Sequence, residues 1–342
     1  MPEYRHDPLL GRSVIVAPER WGRPDQLNGS PQDPQVVALC PFCAGHEHET
    51  PPELAAYYSR QGAAAKLWQV RVVPNKYPAV RTTGLELNPA CDRLNSPGLN
   101  SPGFGSHEVI IESPEHVASF SQLSDEQAGF TFLAYRDRIR ALKSHANLAH
   151  AQVFKNARAD GGASVEHSHS QLIATSIVPL ELQRELAAAG EYRLAHRSCF
   201  FCELLARTLD ERSRLVAETE HFAAVTPFAS RFPYETWVLP RSHRACFEET
   251  EPAALEQLAR FVQQLVGRLE RVLDAPAYNF WIKTAPFELS RHDDYHWHVV
   301  LVPRLTRMAG FELATGCFIN SVSPEEAARQ LRLAAPEAPS SD

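Results

Sequence analysis

The residues best suited to chemistry lie in segment 167–171, His-Ser-His-Ser-Gln, which follows a loop that contains Gly161-Gly162 and Ser164. Residues two apart on a strand point to the same face, so a strand here would hold the two histidines side by side. Glycine loops let backbone N–H groups approach a phosphate closely. Neutral imidazole attacks phosphorus well and leaves well, as a double displacement on a nucleotide diphosphate requires. We predict that His169 is the nucleophile and that Gln171 and Ser164 stabilise phosphoryl charge.

Two Cys-x-x-Cys pairs supply a second kind of chemistry. In a reducing cytosol such pairs bind metal more often than they form disulfides. Each pair is accompanied by two histidines further along the chain, and two thiolates with two imidazoles complete a tetrahedral zinc shell. We therefore predict two structural Zn²⁺ sites, although a pair could also be redox-active or merely buried. The ligand sets are Cys40, Cys43, His116 and His167, and then Cys199, Cys202, His243 and His296.

The two ligand sets belong to an internal repeat. Glu108 precedes His116 by 8 residues, and Glu235 precedes His243 by the same 8. The next His-x-His begins 51 residues later in the first half and 53 residues later in the second. Repeated units normally pack on one another, so we expect two related α+β halves, residues 1–190 and 191–342. His298 is the repeat partner of His169, but it has no glycine loop before it and no Gln after it, which favours a packing or substrate-contact role.

The elements that must hold these residues follow from periodicity. Alternating apolar residues predict strands at 107–112, 151–155 and 169–174, so the His-x-His segment opens a strand. A capped helix is predicted from Asp125 to about Ser144, and a long amphipathic helix over 252–273. Strands and helices are mixed, with hairpin-like neighbours. This favours an α+β fold in which each half is an antiparallel sheet with packed helices.

Composition excludes several classes of function. The chain is 44% hydrophobic and 22% charged, which is typical of globular proteins. A net charge of −7 argues against nucleic-acid binding, which needs a basic surface. There is no apolar run long enough to cross a membrane, and the N-terminal residues do not resemble a secretory signal. We expect a cytoplasmic protein that acts on small molecules and forms a homodimer.

Several short motifs, taken together, make the chain resemble galactose-1-phosphate uridylyltransferases and their relatives in the histidine-triad superfamily. The likeness covers nearly the whole chain, and it implies a covalent nucleotidyl-histidine at His169. It also implies the first zinc site, and a nucleotide and a sugar phosphate held by residues of the matching motifs. The matching pieces are Arg20-x-x-Arg23-Pro24, Cys40-Pro41-Phe42-Cys43, residues 72–78 with Asn75, Phe154-x-Asn156, the Gly161-Gly162 loop with Ser164, Gln171 and Gly310-Phe311-Glu312.

The chain departs from the best-known members of that family at several positions. Those members have Pro and Gly where this chain has Ser168 and Ser170, and this His-Ser-His-Ser-Gln form resembles the plant-type ADP-glucose phosphorylases. Glu185 occupies the position of a metal ligand in some uridylyltransferases, in which histidines replace the cysteine pair. This chain has Cys199 and Cys202 and no histidine in segment 283–286, so we do not expect Glu185 to bind metal.

The substrates therefore remain open between two pairs. UDP-hexose with hexose 1-phosphate is the first, and ADP-glucose with phosphate is the alternative. A hydrolase, or a nucleotide-binding zinc protein without turnover, is the rival interpretation.

Overall fold

The protein is represented by a computed structural model, which describes residues 3–6, 13–16, 40–59, 67–82, 100–288 and 294–335. The predicted substrate contacts Arg20 and Arg23 lie outside the described residues. None of the helices in these ranges is long and apolar enough to cross a membrane.

Strands and helices alternate irregularly along the described part of the chain. The strands are β1 Glu3–His6, β2 Ser13–Val16, β3 Ala55–Tyr58, β4 Trp68–Pro74, β5 Asn100–Pro102, β6 Gly105–Ile111, β7 His150–Ala157, β8 His169–Thr175, β9 Leu215–Glu218, β10 Phe222–Val225, β11 Thr236–Pro240, β12 Tyr278–Lys283 and β13 His298–Pro303. The α-helices are α1 Asp125–Lys143, α2 Leu180–His196, α3 Phe200–Glu211, α4 Pro252–Leu273, α5 Gly310–Thr315 and α6 Pro324–Leu333. Short 3₁₀ turns lie at Glu47–Glu49, Phe120–Gln122, Ala159–Gly161 and Phe247–Glu249.

One antiparallel sheet of ten strands runs through both halves of the chain, in the order β3-β4-β6-β8-β7-β12-β13-β11-β10-β9. The first half supplies β3-β4-β6-β8-β7, and the second supplies β9-β10-β11-β13-β12 in the matching order. The halves join where β7 pairs with β12, with Asn156 opposite Asn279. This arrangement confirms the α+β fold and the repeat. The predicted boundary at residue 190 falls within α2, so the division into two domains stays a prediction.

Two long helices cover one face of this sheet. The Ser124 side chain caps α1 by accepting from the Gln127 N–H, and the Gln127 side chain reaches back to the Ser124 N–H. Helix α4 begins with Pro252 and packs against α1. The buried apolar face of these helices meets the inward side chains of the central strands in one core. That core includes Val70, Ile110, Phe132, Ile139, Val153, Leu172, Leu258, Val262, Leu265 and Phe280.

The opposite face of the sheet differs between the two halves. In the second half a separate apolar cluster, which includes Leu182 of α2 and Phe201 of α3, covers it. In the first half the same face carries a smaller apolar cluster, which includes Val109 and Ile111 of β6. Beside it lie the polar side chains of His169 and Gln171, which are paired with those two residues in the strand register, and they line a cavity.

Candidate active site and metal clusters

His169 opens β8 and faces a cavity of about 370 Å³. Its side chain is 6% exposed, and its Nδ1 lies 2.8 Å from the carbonyl oxygen of His167. Since a carbonyl only accepts, Nδ1 carries the proton in this contact and the lone pair is on Nε2. Phe42 packs edge-on against His169, with ring centroids 5.2 Å apart. The imidazole is therefore fixed in tautomer and orientation, as a nucleophile requires.

The cavity gathers several residues that the sequence predicts to act on one substrate. Asn75, Ser164 and Gln171 line it with His169, and so does Lys76, whose ammonium group suits an anionic ligand. The amide nitrogen of Asn75 lies 3.4 Å from Oε1 of Gln171. These side chains come from β4 and its following loop, from the glycine loop and from β8, so strand register brings them together.

The glycine loop lies beside a neighbouring cavity of about 520 Å³, which Asn156, Gly161 and Gly162 line together with Trp281 and Arg304. Gly162 has a φ of +88°, which favours glycine. A side chain at Gly161 would place its Cβ 3.0 Å from the carbonyl oxygen of Tyr278, so this loop approaches β12 closely.

Asn279, which the sequence analysis did not identify, holds this loop in place. Its Nδ2 donates to Oδ1 of Asn156 at 2.8 Å and to the carbonyl oxygen of Gly161 at 2.7 Å. Gly310 and Phe311 lie in α5, where Phe311 is 54% exposed, and they line neither of these two cavities.

A buried ion pair supports the His169 backbone from the helix-covered side of the sheet. Nζ of Lys155 lies 2.5 Å from Oε2 of Glu112, and both side chains are almost fully buried. The same ammonium group donates to Oγ of Ser168 at 2.9 Å and to the carbonyl oxygen of His169 at 3.1 Å. Oγ of Ser168 donates to Glu112 at 2.6 Å. Burial lowers the pKa of Lys155, and the Glu112 carboxylate opposes that shift.

Tyr135 extends this buried cluster to the second unusual serine. Its hydroxyl lies 3.2 Å from Oε1 of Glu112 and 2.8 Å from Oγ of Ser170. Ser168 and Ser170, the two departures in the His-x-His-x-Gln motif, are thus both bonded within one polar cluster. Each lies next to His169 in the chain.

The first predicted ligand set comes together at the edge of the His169 site. The ligand atoms of Cys40, Cys43, His116 and His167 all lie within 4.8 Å of one another. Sγ of Cys43 is 3.4 Å from Nδ1 of His116 and 3.5 Å from Nδ1 of His167. A tetrahedral zinc ion with bonds of about 2.0–2.3 Å needs ligand atoms about 3.3–3.8 Å apart.

The tautomer of His167 suits a metal ligand. Nε2 of His167 donates to the carbonyl oxygen of Ser113 at 2.9 Å, so the lone pair on Nδ1 faces the thiols. Burial raises the pKa of Cys40, and burial with the adjacent Cys40 thiol raises the pKa of Cys43 to about 12. Burial lowers the pKa of His167 to about 3, which keeps it neutral. Two thiolates can share this space when a divalent cation offsets their charge.

The second ligand set repeats this geometry. The ligand atoms of Cys199, Cys202, His243 and His296 also lie within 4.8 Å of one another. Sγ of Cys202 is 3.3 Å from Nδ1 of His243 and 3.5 Å from Nδ1 of His296. Nε2 of His296 donates to the carbonyl oxygen of Pro240 at 2.9 Å, as His167 does to Ser113. Both clusters can therefore hold a tetrahedral metal ion.

His298, the repeat partner of His169, is covered by aromatic side chains. His298 is fully buried between the rings of Phe201 and Trp237, each with a centroid 5.0 Å away. These contacts are those of a packing residue, which is one of the two roles expected for His298. Glu185 is occupied as well, because it forms an ion pair with Lys283 and accepts from the Tyr295 hydroxyl at 3.2 Å. The carboxylate of Glu185 is thus bonded to an ammonium group and a hydroxyl, and it belongs to neither cysteine–histidine cluster.

Known proteins share this architecture over the whole chain. Residues 1–179 match the family described as galactose-1-phosphate uridyl transferase, N-terminal domain, and residues 105–335 match a domain of unknown function. ADP-glucose phosphorylase of Arabidopsis thaliana is 34% identical over 335 residues, covering 97% of this chain and 92% of the relative.

Two further comparisons agree. Galactose-1-phosphate uridylyltransferase of Thermotoga maritima is 29% identical over 340 residues, covering 97% of this chain and 98% of the relative. The crystal structure of an Arabidopsis thaliana ADP-glucose phosphorylase with bound ADP-glucose superimposes with a TM-score of 0.74 at 32% identity, over 97% of this chain and 98% of that one. The chain therefore belongs to the galactose-1-phosphate uridylyltransferase family of nucleotidyltransferases.

Proposed function

We propose that the protein moves a nucleotidyl group from a nucleotide sugar to a phosphate-bearing acceptor, with Nε2 of His169 as the covalent carrier. The observation that carries this proposal is the hydrogen bond from Nδ1 of His169 to the carbonyl oxygen of His167. It directs the lone pair of the other nitrogen into a cavity lined by donors.

The donor and acceptor that we propose are UDP-hexose and hexose 1-phosphate. Nε2 of His169 attacks the α-phosphorus, an N–P bond forms, and the P–O bond to hexose 1-phosphate breaks with its electron pair on the departing phosphate. A second hexose 1-phosphate then attacks the same phosphorus, and the N–P bond breaks to return neutral His169. Exchange of galactose 1-phosphate for glucose 1-phosphate by this route belongs to galactose metabolism.

Side chains of the cavity assist both steps. Gln171 and Ser164 donate to the phosphoryl oxygens as negative charge accumulates there. Asn75 holds the nucleotide, and Asn156 with the Gly161-Gly162 loop holds the sugar-phosphate side of the donor. Asn75 lines the cavity that His169 faces, and Asn156 with the glycine loop lines the neighbouring cavity, which supports these assignments.

The second candidate is phosphorolysis of ADP-glucose. It is favoured by the higher identity to ADP-glucose phosphorylase, 34% against 29% for the Thermotoga uridylyltransferase. In that reaction His169 is adenylylated, glucose 1-phosphate leaves, and inorganic phosphate takes the adenylyl group to form ADP. The chemistry at His169 is the same, and only the base and the acceptor differ.

Zn²⁺ fits both cysteine–histidine clusters, and we propose one ion in each. The shells are complete without water, so the metal contributes folding free energy and rigidity rather than a reactive species. At the first site Cys40, Cys43, His116 and His167 would hold the ion. Through His167 and Phe42 that site fixes the position of His169.

Four further residues, none of which lines either cavity as described, are assigned to substrate binding: Arg20, Arg23, Gly310 and Phe311. Arg20 and Arg23 supply cations for an anionic substrate, and Arg reads phosphate in a forked geometry. Gly310 and Phe311 lie in a segment with exposed apolar side chains, among them Met308 and Leu313. Such surfaces commonly pair with another protein. We propose that this segment contacts a second copy of the chain in a cytoplasmic homodimer, and that Gly310 and Phe311 contact the substrate.

An exchange panel tests the substrates. Purified protein is incubated with UDP-glucose plus galactose 1-phosphate, and separately with ADP-glucose plus phosphate. We expect UDP-galactose and glucose 1-phosphate, with parallel lines in double-reciprocal plots. Faster formation of ADP and glucose 1-phosphate would establish the phosphorylase instead. If neither donor releases glucose 1-phosphate stoichiometric with protein in the absence of acceptor, the covalent mechanism is wrong.

A further inference from the structure

Gln171 can serve phosphoryl transfer in only one of its two amide orientations. Its Nε2 group is a donor to phosphoryl oxygens, whereas its Oε1 would repel them. The two orientations have nearly the same shape, so packing alone does not select between them. Some other group must hold Oε1 away from the substrate, and His107 is placed to do this.

His107 is 5% exposed and lies on β6, next to β8 in the sheet. Its Nδ1 lies 3.0 Å from the backbone N–H of Ala79, which can only donate. Nδ1 therefore accepts, and the neutral ring carries its proton on Nε2. Nε2 lies 2.9 Å from Oε1 of Gln171 and donates to it.

Asn75 reaches the same oxygen with its orientation set in the same way. The backbone N–H of Tyr77 donates to Oδ1 of Asn75 at 2.8 Å, so the Asn75 amide nitrogen points elsewhere. That nitrogen lies 3.1 Å from Nε2 of His107 and 3.4 Å from Oε1 of Gln171. The backbone N–H groups of Ala79 and Tyr77, in the loop after β4, thus orient two side chains. As a result, the side chains of His107 and Asn75 both direct a donor at Oε1 of Gln171.

We propose that His107 is a positioning residue that holds Oε1 of Gln171 and thereby presents its Nε2 amide group to the transferring phosphoryl group. The proposal rests on the proposed function, because it assigns Gln171 a role in that transfer. Asn75 lines the substrate cavity itself, whereas His107 is not among the cavity-lining residues, so His107 acts through Gln171.

The test is a double-mutant cycle on the single-turnover rate of His169 labelling, with whichever of UDP-glucose and ADP-glucose the wild type uses. His107→Leu should slow labelling about tenfold, less than the 10²–10³ that loss of a transition-state donor typically costs. The nucleotide-sugar concentration that gives half the maximal labelling rate should not change, and neither should the zinc content. His107→Gln, whose amide can donate, should recover most of the rate. His150→Leu, another buried histidine in the sheet, is the matched control and should match the wild type.

The decisive comparison is made in the Gln171→Ala background. There His107→Leu should have no further effect, because its partner is gone. A second full loss of rate, or a wild-type rate in His107→Leu alone, would overturn the proposal. A merely structural role would lower both backgrounds equally.

A spectroscopic measurement separates this proposal from the function it rests on. Isotope-labelled histidine should show His107 as the Nε2–H tautomer, with a hydrogen-bonded ring proton that shifts in Gln171→Leu. If neither nucleotide sugar labels His169, the proposed function fails and the spectrum still decides whether His107 holds Gln171. An Nδ1–H tautomer would disprove that hold whatever the enzyme does.

Discussion

Nδ1 of His169 and the carbonyl oxygen of His167 lie 2.8 Å apart, so the proposed nucleophile is oriented by the backbone of a proposed metal ligand. The repeat shows the same contact at 3.0 Å between His298 and the carbonyl oxygen of His296. The contact is thus a property of the repeated unit. His169 lines a cavity, whereas aromatic rings cover His298, and this difference is why we propose the chemistry at His169.

Replacing the nucleophile separates the two roles. His169→Gly should lower turnover by at least about 10⁴-fold, because no other group can carry the nucleotidyl intermediate. Zinc content should stay at the wild-type value, since the proposed zinc ligand of the His-x-His pair is His167 and not His169. Elemental analysis and turnover on the same preparation check this. Loss of one zinc with His169→Gly would show that the roles of the two histidines are exchanged.

Metal analysis should give about two zinc ions per chain, one for each complete shell. Cys43→Ala and Cys202→Ala form a matched pair, and each should remove about one ion and lower the yield of folded protein. Only Cys43→Ala should also lower the turnover rate of the protein that does fold, because Phe42 in that turn packs on His169. Equal activity of the two variants, or one zinc per chain in the wild type, would contradict the proposed sites.

Much of this site could be predicted from local sequence patterns. The ligand sets follow from two Cys-x-x-Cys pairs and two His-x-His segments at matching spacings, and His169 follows from the glycine loop before its strand. Asn279 could not be identified this way. Its bond to Asn156 joins residues 123 positions apart, and the register of β7 against β12 alone brings them together.

The roles of Lys155 and Phe201 could not be predicted from the sequence either. A lysine within a strand normally reaches solvent, so the burial of Lys155 follows only from the position of Glu112, just after the end of β6. Likewise, Phe201 covers His298 because α3 crosses that face, which periodicity along one strand does not reveal. Local patterns give elements and candidate residues, whereas pairing between distant strands decides which candidates face a cavity.

The buried pair of Lys155 and Glu112 should affect the labelling rate at His169 independently of its effect on the free energy of unfolding. Lys155→Met leaves a buried carboxylate unpaired and should destabilise the fold by about 3–5 kcal/mol. The double variant Lys155→Met/Glu112→Leu should recover most of that stability, because an apolar pair of similar volume can replace a buried ion pair. Its labelling rate at His169 should stay low, since the bond from Lys155 to the His169 carbonyl is gone.

Denaturant unfolding and single-turnover labelling of the same variants check this separation. Lys143 and Glu248 form a partly exposed pair elsewhere in the fold, and Lys143→Met should leave the labelling rate at the wild-type value. A double variant with wild-type stability and wild-type labelling would show that the Lys155 contact does not position the nucleophile.

Asn279→Ala should weaken binding of the donor more than it slows the chemical step. The change removes bonds to Asn156 and to the carbonyl oxygen of Gly161, so the loop proposed to hold the sugar phosphate loses its anchor on β12. Loss of such bonds typically costs about 1–2 kcal/mol, which corresponds to roughly a tenfold rise in KM. Steady-state kinetics with both nucleotide sugars measure the two constants. An unchanged KM with reduced kcat would place Asn279 in the chemical step instead.

Stability should fall on mild acidification because His150 is buried in a neutral form. Burial lowers the pKa of His150 from 6.5 to about 4, so between those values the unfolded chain binds a proton that the folded chain does not. Stability therefore rises with pH through this window, at up to about 1.4 kcal/mol per pH unit from this residue. His150→Phe should flatten the pH dependence of urea unfolding between pH 7 and pH 5. Over about this range the unfolded chain begins to bind the proton that the folded chain does not. The same substitution at the solvent-exposed His221, His221→Phe, is the matched control for the change of side chain. Parallel slopes for the wild type and His150→Phe would show that another group carries the acid sensitivity.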